Sequence, residues 1–133
     1  MSRIHSQAAD TDNLRDLLRR FEQAWNSRDT AQLKILFCTE FWFLDTTGSL
    51  ALLSTTENFE ERVPILRGSP EAYGLLVIEQ VFRLGERIAY TVVKWRTIVD
   101  DVEPLRNERR VLLWKQDPEP EGWRIWLLHH IKA

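Results

Sequence analysis

The segment 21–48 constrains the fold more than any other part of the chain. An amphipathic helix ends near Asn26, Asp29 can cap a second short helix, and a strand rich in aromatic residues carries Asp45 to a turn at Gly48. Helices in this order around a curved sheet predict a small α+β domain. Such a domain leaves an apolar pocket between helices and sheet, here with one acid in it.

Size and charge narrow the class of protein. A chain of 133 residues has room for one core, so a single domain is expected. The net charge of −2 argues against a protein that binds nucleic acid through its phosphates. Basic pairs such as Arg109-Arg110 are surrounded by acids and are interpreted as solvated surface. The single cysteine, Cys38, excludes an intrachain disulfide and fits a reducing compartment.

The sequence lacks the usual signals of a membrane protein, a nucleotide site and a metal site. The first twelve residues lack the apolar region of a signal peptide, and no apolar run reaches the length of a membrane span, so a cytoplasmic protein without a membrane partner is expected. The sequence contains no glycine-rich phosphate loop, which would predict a nucleotide site, so no cofactor is expected. His129 and His130 are adjacent on a predicted strand and cannot bind one metal ion together, so no metal site is predicted.

The N-terminal half of the sequence predicts three helices. Residues 1–9 are interpreted as a flexible arm and 10–133 as the domain. A helix after Asp10 has its apolar residues on one stripe: Leu14, Leu17, Leu18, Phe21, Ala24 and Trp25. The second helix, capped by Asp29, turns Leu33, Leu36 and Phe37 inward. A third is predicted from Ser54, with Phe59 and Val63 buried and an end or kink at Pro64.

The remainder reads as strands joined by short links, which predicts a mostly antiparallel sheet. The predicted strands are 41–47, 72–84, 87–99, 108–117 and 122–131. Residues on both faces of 87–99 and 108–117 are apolar, which is more than one layer of helices can cover. A second subunit on the back of the sheet is the simplest cover, so a homodimer is expected.

This arrangement resembles the nuclear transport factor 2-like superfamily, in its SnoaL-like and ketosteroid isomerase-like branch. The resemblance spans about 12–132. It rests on Phe21-x3-Trp25-Asn26-x2-Asp29 with Leu33 and Phe37, on Asp45-x2-Gly48, and on Gly122-Trp123-Arg124-Ile125 with His129. It implies a cystatin-like cone of helices on a curved sheet, with a pocket inside and homodimerisation through the sheet. The superfold hosts enzymes, carriers and dimerisation modules, so it implies no single activity.

The resemblance carries over only part of a catalytic site. Asp45 falls where ketosteroid isomerases place their proton-shuttling aspartate, and Phe21 falls where they place the tyrosine of the oxyanion hole. A phenyl ring cannot donate a hydrogen bond to a dienolate oxygen, so that activity is not expected. His129 matches a histidine at the end of the last strand in SnoaL-like proteins.

Asp45 and His129 each allow two interpretations. Between Phe41 and Phe43, Asp45 would lose hydration, and its raised pKa would make it a base. Alternatively, Asp45 begins a type I turn, and its pKa is lowered by backbone amides. Alternation places His129 on one face with Trp123, as an acid or orienting partner of Asp45 or as a core histidine, and turns His130 to the other face.

Two functions remain open on the sequence alone. The first is a dimeric pocket protein for a small apolar molecule, with or without cofactor-free proton transfer by Asp45 and His129. The pocket residues would be Phe21, Trp25, Phe41, Phe43, Trp95 and Trp114, although the sheet face of the last two is left open. The alternative is a non-catalytic dimerisation or partner-binding module whose interior is filled by aromatic side chains.

Overall fold

A computed structural model describes residues 3–57, 59, 72–99, 106–118 and 121–132. Its elements are helices α1 (Arg3–Ser27) and α2 (Thr30–Leu36) and strands β1 (Phe37–Leu44), β2 (Leu50–Ser54), β3 (Ala72–Arg83), β4 (Ile88–Val99), β5 (Arg106–Pro118) and β6 (Glu121–Lys132). The last four strands match the predicted ones to within two residues at each end. In the described part of the chain, no helix combines the length and the apolar character that a membrane crossing requires.

The six strands form one curved, unclosed sheet in the order β2-β1-β6-β5-β4-β3. Strand β1 runs parallel to β6, and the other neighbours are antiparallel. Helix α1 packs on the inner face of this sheet, which confirms the predicted α+β architecture. The chain therefore folds back so that its first strand lies beside its last.

Helix α1 carries the predicted apolar stripe. Its buried residues are Leu14, Leu18, Phe21, Ala24 and Trp25, with Leu17 partly buried. The helix begins at Arg3, however, so most of the predicted flexible arm is helical. Hydrophobic periodicity did not predict the start of α1, because this segment has no apolar stripe. It can still extend the helix, since residues such as Ala8 and Ala9 favour the helical conformation.

A left-handed residue separates the two helices. Arg28 has a φ of 56°, its amide bonds Trp25 O, and the next amide, of Asp29, bonds Ala24 O. This pair of hydrogen bonds is a Schellman motif, which ends a helix by satisfying its last carbonyls. The Asp29 side chain then accepts from the amide of Gln32, as its predicted capping role requires.

The region after α2 differs from the prediction. Strand β1 begins at Phe37 rather than Phe41, and β2 follows it in a segment where a strand was not expected. Ser54 is the last residue of β2 and its hydroxyl accepts from the amide of Thr56, so it does not begin a helix there. Phe59 is buried as predicted, against Phe37 and Phe41. The expectations for Val63 and Pro64 lie outside the described residues.

Polar side chains of α1 pair with the edge of the sheet. The Asn26 amide donates to Gly74 O and accepts from Gly74 N at 2.9 and 2.7 Å, as a neighbouring strand would. Glu22 accepts from the amide of Leu76 at 2.6 Å, and Arg19 donates to Leu76 O at 2.8 Å. Since β3 is an edge strand, these bonds cover backbone groups that would otherwise be open. They also set the distance between α1 and the sheet.

The outer face of the sheet is rich in exposed apolar side chains. Leu50 and Leu52 lie on β2, Val77 and Phe82 on β3, and Ile131 on β6, and each is at least one-third exposed. Phe82 also packs on Tyr90 across the β3–β4 pair, with ring centroids 5.4 Å apart. Both faces of the sheet are therefore apolar, as the sequence predicted, and the two helices of the described residues, α1 and α2, lie on the inner face.

Candidate functional site

A buried cation lies at the centre of the inner face. Arg110, on β5, is 1% exposed. Its guanidinium carbon lies 4.5 Å from the ring centroid of Trp25 on α1 and 4.4 Å from that of Trp95 on β4. The two rings are in contact with each other, with centroids 5.5 Å apart. Two indole faces therefore stabilise the positive charge through cation–π interactions.

Hydrogen bonding to this cation is incomplete. Glu108 Oε2 lies 3.6 Å from Arg110 Nη2, which is close enough for an ion pair but long for a hydrogen bond. The other two guanidinium nitrogens, Nε and Nη1, are buried and have no hydrogen-bond partner among the residues that the structure describes. Burial lowers the pKa of Arg110 to about 10, and the charge of Glu108 opposes that change. Arg110 thus stays protonated at neutral pH.

His130 lies beside this cation. It is directly opposite Arg110 in the β5–β6 pair, and its ring centroid is 5.0 Å from that of Phe43 on β1. Burial, and next the charge of Arg110, lower the pKa of His130 to about 2. The imidazole is therefore neutral, and its buried Nε2 has no partner within the described part of the chain. A neutral imidazole nitrogen can donate or accept one hydrogen bond, depending on the tautomer.

A β-bulge decides which histidine faces inward. Ile125 pairs with Trp114, but the next paired residue, Leu127, faces Leu113, so Trp126 is an extra residue in β6. The extra residue shifts the alternation by one, because side chains change face at every position. The prediction for His129 is wrong for this reason: Leu128 and His130 continue the buried face after the bulge, and His129 lies on the outer face.

Asp45 belongs to its own turn. Its Oδ1 accepts from Thr47 Oγ1 at 2.6 Å, from Thr47 N at 2.9 Å and from Ser49 N at 3.0 Å. The hydrogen bond from the Thr47 side chain, followed by that from the Ser49 amide, lowers the pKa of this solvent-exposed carboxyl. A base with a raised pKa is therefore contradicted, and the turn interpretation agrees with the structure. Asp45 and His129 do not form a pair in the interior.

The six aromatic residues predicted to line a pocket are all buried on the inner side. They are Phe21, Trp25, Phe41, Phe43, Trp95 and Trp114. Trp114 is held within the core, because its indole N–H donates to Thr91 Oγ1 at 2.9 Å. The indole nitrogen of Trp25 has no partner among the described residues. Trp25 and Trp95 lie next to Arg110, whereas Trp114 is a core residue whose indole N–H is hydrogen-bonded within the protein.

Arg110 is the main residue that the sequence analysis missed. Its pair with Arg109 was interpreted as solvated surface, and this holds only for Arg109, which is exposed and bonds Glu79. The available signal was the alternation Arg110, Leu112, Trp114, which places the guanidinium on the apolar face of β5. In the described part of the chain, no three acidic, histidine or cysteine side chains are grouped so as to hold a metal ion.

Comparison with known proteins identifies the fold. No family model matches the sequence, and no curated protein matches it significantly. Solved structures do match: a Mycobacterium tuberculosis protein of unknown function (TM-score 0.78, 12% identity, 100% of this chain and 77% of that one); a cystatin-like protein from Nostoc punctiforme (0.75, 13%, 95% and 92%); and an NTF2-like protein from Shewanella oneidensis (0.72, 18%, 92% and 99%). At these identities the likeness concerns the fold alone. The chain has the cystatin-like fold of the NTF2-like proteins.

Proposed function

We propose that this protein is a homodimeric small-molecule-binding domain that takes its ligand between α1 and the inner face of the sheet. One observation carries the proposal: Trp25 Nε1, Arg110 Nε and Nη1, and His130 Nε2 are buried in one cluster without partners among the described residues. Buried polar groups are nearly always hydrogen-bonded, because an unsatisfied one costs free energy. A bound molecule with polar atoms would satisfy them.

A binding role is favoured over proton transfer. Asp45, the proposed base, accepts hydrogen bonds within its own turn, and His129, the proposed acid, lies on the outer face. His130 on β6 and Arg110 on β5 face the cluster, and neither has the pKa of a base at neutral pH. The carboxylate beside them, Glu108, is paired with the Arg110 cation. These groups favour recognition of a ligand over proton transfer.

The test of ligand binding uses a screen and two tryptophan variants. A library of small fragments, charged and neutral, is screened by ligand-observed NMR, and hits are then titrated into the protein. Binding should be weakened by Trp25→Phe, which removes an indole from the cluster, and kept by Trp126→Phe, which changes an exposed residue. The proposal fails if no fragment binds, or if the hits bind the Trp25→Phe variant as tightly as the wild type.

The exposed outer face favours the association part of the proposal. Exposed leucine, valine, phenylalanine and isoleucine side chains occur on this face on β2, β3 and β6, and neither of the described helices, α1 and α2, lies there. A patch of this kind is unusual on a monomer and suits a copy of the same surface. Dimerisation without any ligand, with the interior filled only by its own aromatic side chains, is the second candidate function.

A further inference from the structure

We propose that the ligand of the inner face is a small carboxylate, bound by the guanidinium of Arg110 beside Trp25 and His130. This inference rests on the proposed function and names the chemical class of its ligand. It follows from the charge, the burial and the unused hydrogen-bond donors of the cluster.

An anion would compensate the buried positive charge of Arg110. A guanidinium that is 1% exposed has lost its hydration, which costs free energy unless an acceptor replaces the water. Indole faces attract the cation but accept no conventional hydrogen bond from its N–H groups. A carboxylate provides two oxygens that match the planar donor fork of arginine. An anionic group therefore satisfies both the charge and the donors.

Glu108 pairs with only one end of the guanidinium and limits the charge of that anion. Its carboxylate is 3.6 Å from Nη2 and its side chain is 16% exposed, so it is an incomplete partner. Nε and Nη1 remain without acceptors in the described part of the chain. Because one acid already stands near the cation, a second single negative charge is easier to accommodate than a dianion. A monocarboxylate therefore fits better than a phosphate.

The rest of the ligand should be apolar and flat or slender. The rings of Trp25 and Trp95 pack on Arg110, and Phe21 contacts both of those rings. Phe43 lies beside His130. The indole N–H of Trp25 and Nε2 of neutral His130 add two polar contacts that carry no charge. This combination of one cation with aromatic walls suits an aromatic or aliphatic monocarboxylate. Phe43 and His130, 6% and 9% exposed, are the least covered members, so entry is expected on their side.

The test compares charged and neutral probes of the same shape. Benzoate is paired with benzamide and acetate with acetamide, and inorganic phosphate is added as a competing anion. Binding is measured by isothermal titration calorimetry and by the shift of the thermal midpoint, which a ligand of the folded state raises. The variants are Arg110→Met, which removes the guanidinium, and Arg109→Met, which removes its exposed neighbour on the outer face.

We expect a carboxylate to bind the wild type and the Arg109→Met variant at least tenfold more tightly than its amide. Arg110→Met should abolish that preference. The inference is overturned if benzamide binds as well as benzoate, if phosphate binds more tightly than either carboxylate, or if Arg110→Met keeps the preference. Benzamide that binds next to Trp25 as tightly as benzoate would leave the proposed function standing while removing the preference for a carboxylate.

A measurement on the wild type covers the case in which Arg110→Met does not fold. The Nε–H resonance of Arg110 is followed by NMR during titration with benzoate and then with benzamide. A new hydrogen bond from a buried Nε to a carboxylate should move this resonance downfield at the concentration at which calorimetry reports binding. An unmoved Arg110 resonance at saturating benzoate would overturn the inference.

Discussion

At the scale of single residues, the surroundings of a side chain determine its chemistry more than its type does. His129 and His130 are neighbours, yet His129 lies on the outer face and His130 packs beside a buried guanidinium. Asp45 follows an aromatic-rich strand, yet its carboxylate is held by the turn after it. The environments of these three residues lead to two predictions about protons.

The first prediction concerns the titration of Asp45. Because hydrogen bonds from Thr47 and Ser49 favour its charged form, its carboxyl carbon should titrate below the ordinary value of 3.8. This group stabilises the fold above its unfolded-state pKa, and the contribution is lost as the pH falls through the lower folded-state pKa. NMR titration measures the midpoint, and Thr47→Val should raise it by removing the largest cause. A wild-type midpoint above 3.8 would contradict the turn assignment.

The second prediction concerns acid sensitivity. Folding lowers the pKa of His130 from 6.5 to about 2, so the unfolded state binds a proton that the folded state does not. Its contribution to stability is complete above pH 6.5 and is lost as the pH falls towards 2. The unfolding free energy should therefore fall by about 2 kcal/mol more in the wild type than in His130→Gln between pH 7 and pH 5.

Urea denaturation at the two pH values measures this difference. His129→Gln is the matched control for loss of an imidazole from the same strand, since His129 lies on the opposite face. Equal losses of stability in the wild type and in His130→Gln would show that His130 is not the buried neutral group described above.

At the scale of secondary-structure elements, α1 determines how closely helix and sheet approach. Asn26 and Glu22 bond the backbone of β3, and Trp25 reaches across the inner face to Trp95. The Trp95 ring lies directly over Gly74, where a Cβ atom would overlap the indole. Gly74 is therefore required by packing rather than by its backbone conformation.

The third prediction tests this packing. Gly74→Ala should destabilise the protein by about 1–3 kcal/mol or more, because the indole of Trp95 must move against the rings of Trp25 and Phe21. Gly85→Ala is the control, since nothing lies within 4 Å of a Cβ at that position. Chemical denaturation measures both, and adding Trp95→Phe to the Gly74→Ala variant should recover part of the loss. Equal stabilities of the two alanine variants would contradict the described contact.

At the scale of the whole molecule, the two faces of one sheet differ in how far they are covered. The inner face is closed by α1 and α2 and holds the aromatic core with Arg110. The outer face keeps apolar side chains in water, and its centre lies on β5 and β6, the middle strands of the sheet. Since the described helices leave this face open, the whole-molecule prediction concerns association.

The fourth prediction is a dimer through the outer face. Sedimentation equilibrium at micromolar concentration should report about twice the chain mass of 15.8 kDa. Leu113→Lys, near the centre of the outer face, should shift the mass to that of a monomer because it places a charge in the apolar contact. Ile35→Lys, exposed on α2, is the control and should leave the mass unchanged. A wild-type monomer throughout this range would contradict the dimer.

The sequence by itself determined most of the elements and the fold class. The stripe that includes Leu18 and Trp25, the cap at Asp29 and the four long strands depend on neighbours a few residues apart, so local patterns predict them. The apolar character of both faces of the sheet was also predicted, since apolar residues on both faces of β4 and β5 exceed what one layer of helices can cover.

The tertiary structure alone decided the site. The bulge at Trp126 exchanges the faces of His129 and His130, and a strict two-residue period cannot reveal one extra residue. Arg110 becomes a buried cation only because Trp25 from α1 and Trp95 from β4 close over it. The desolvation of a side chain depends on such distant segments. For this reason Arg109 and Arg110, which the sequence predicts to be on the surface together, differ in the structure: Arg109 is exposed and Arg110 is buried.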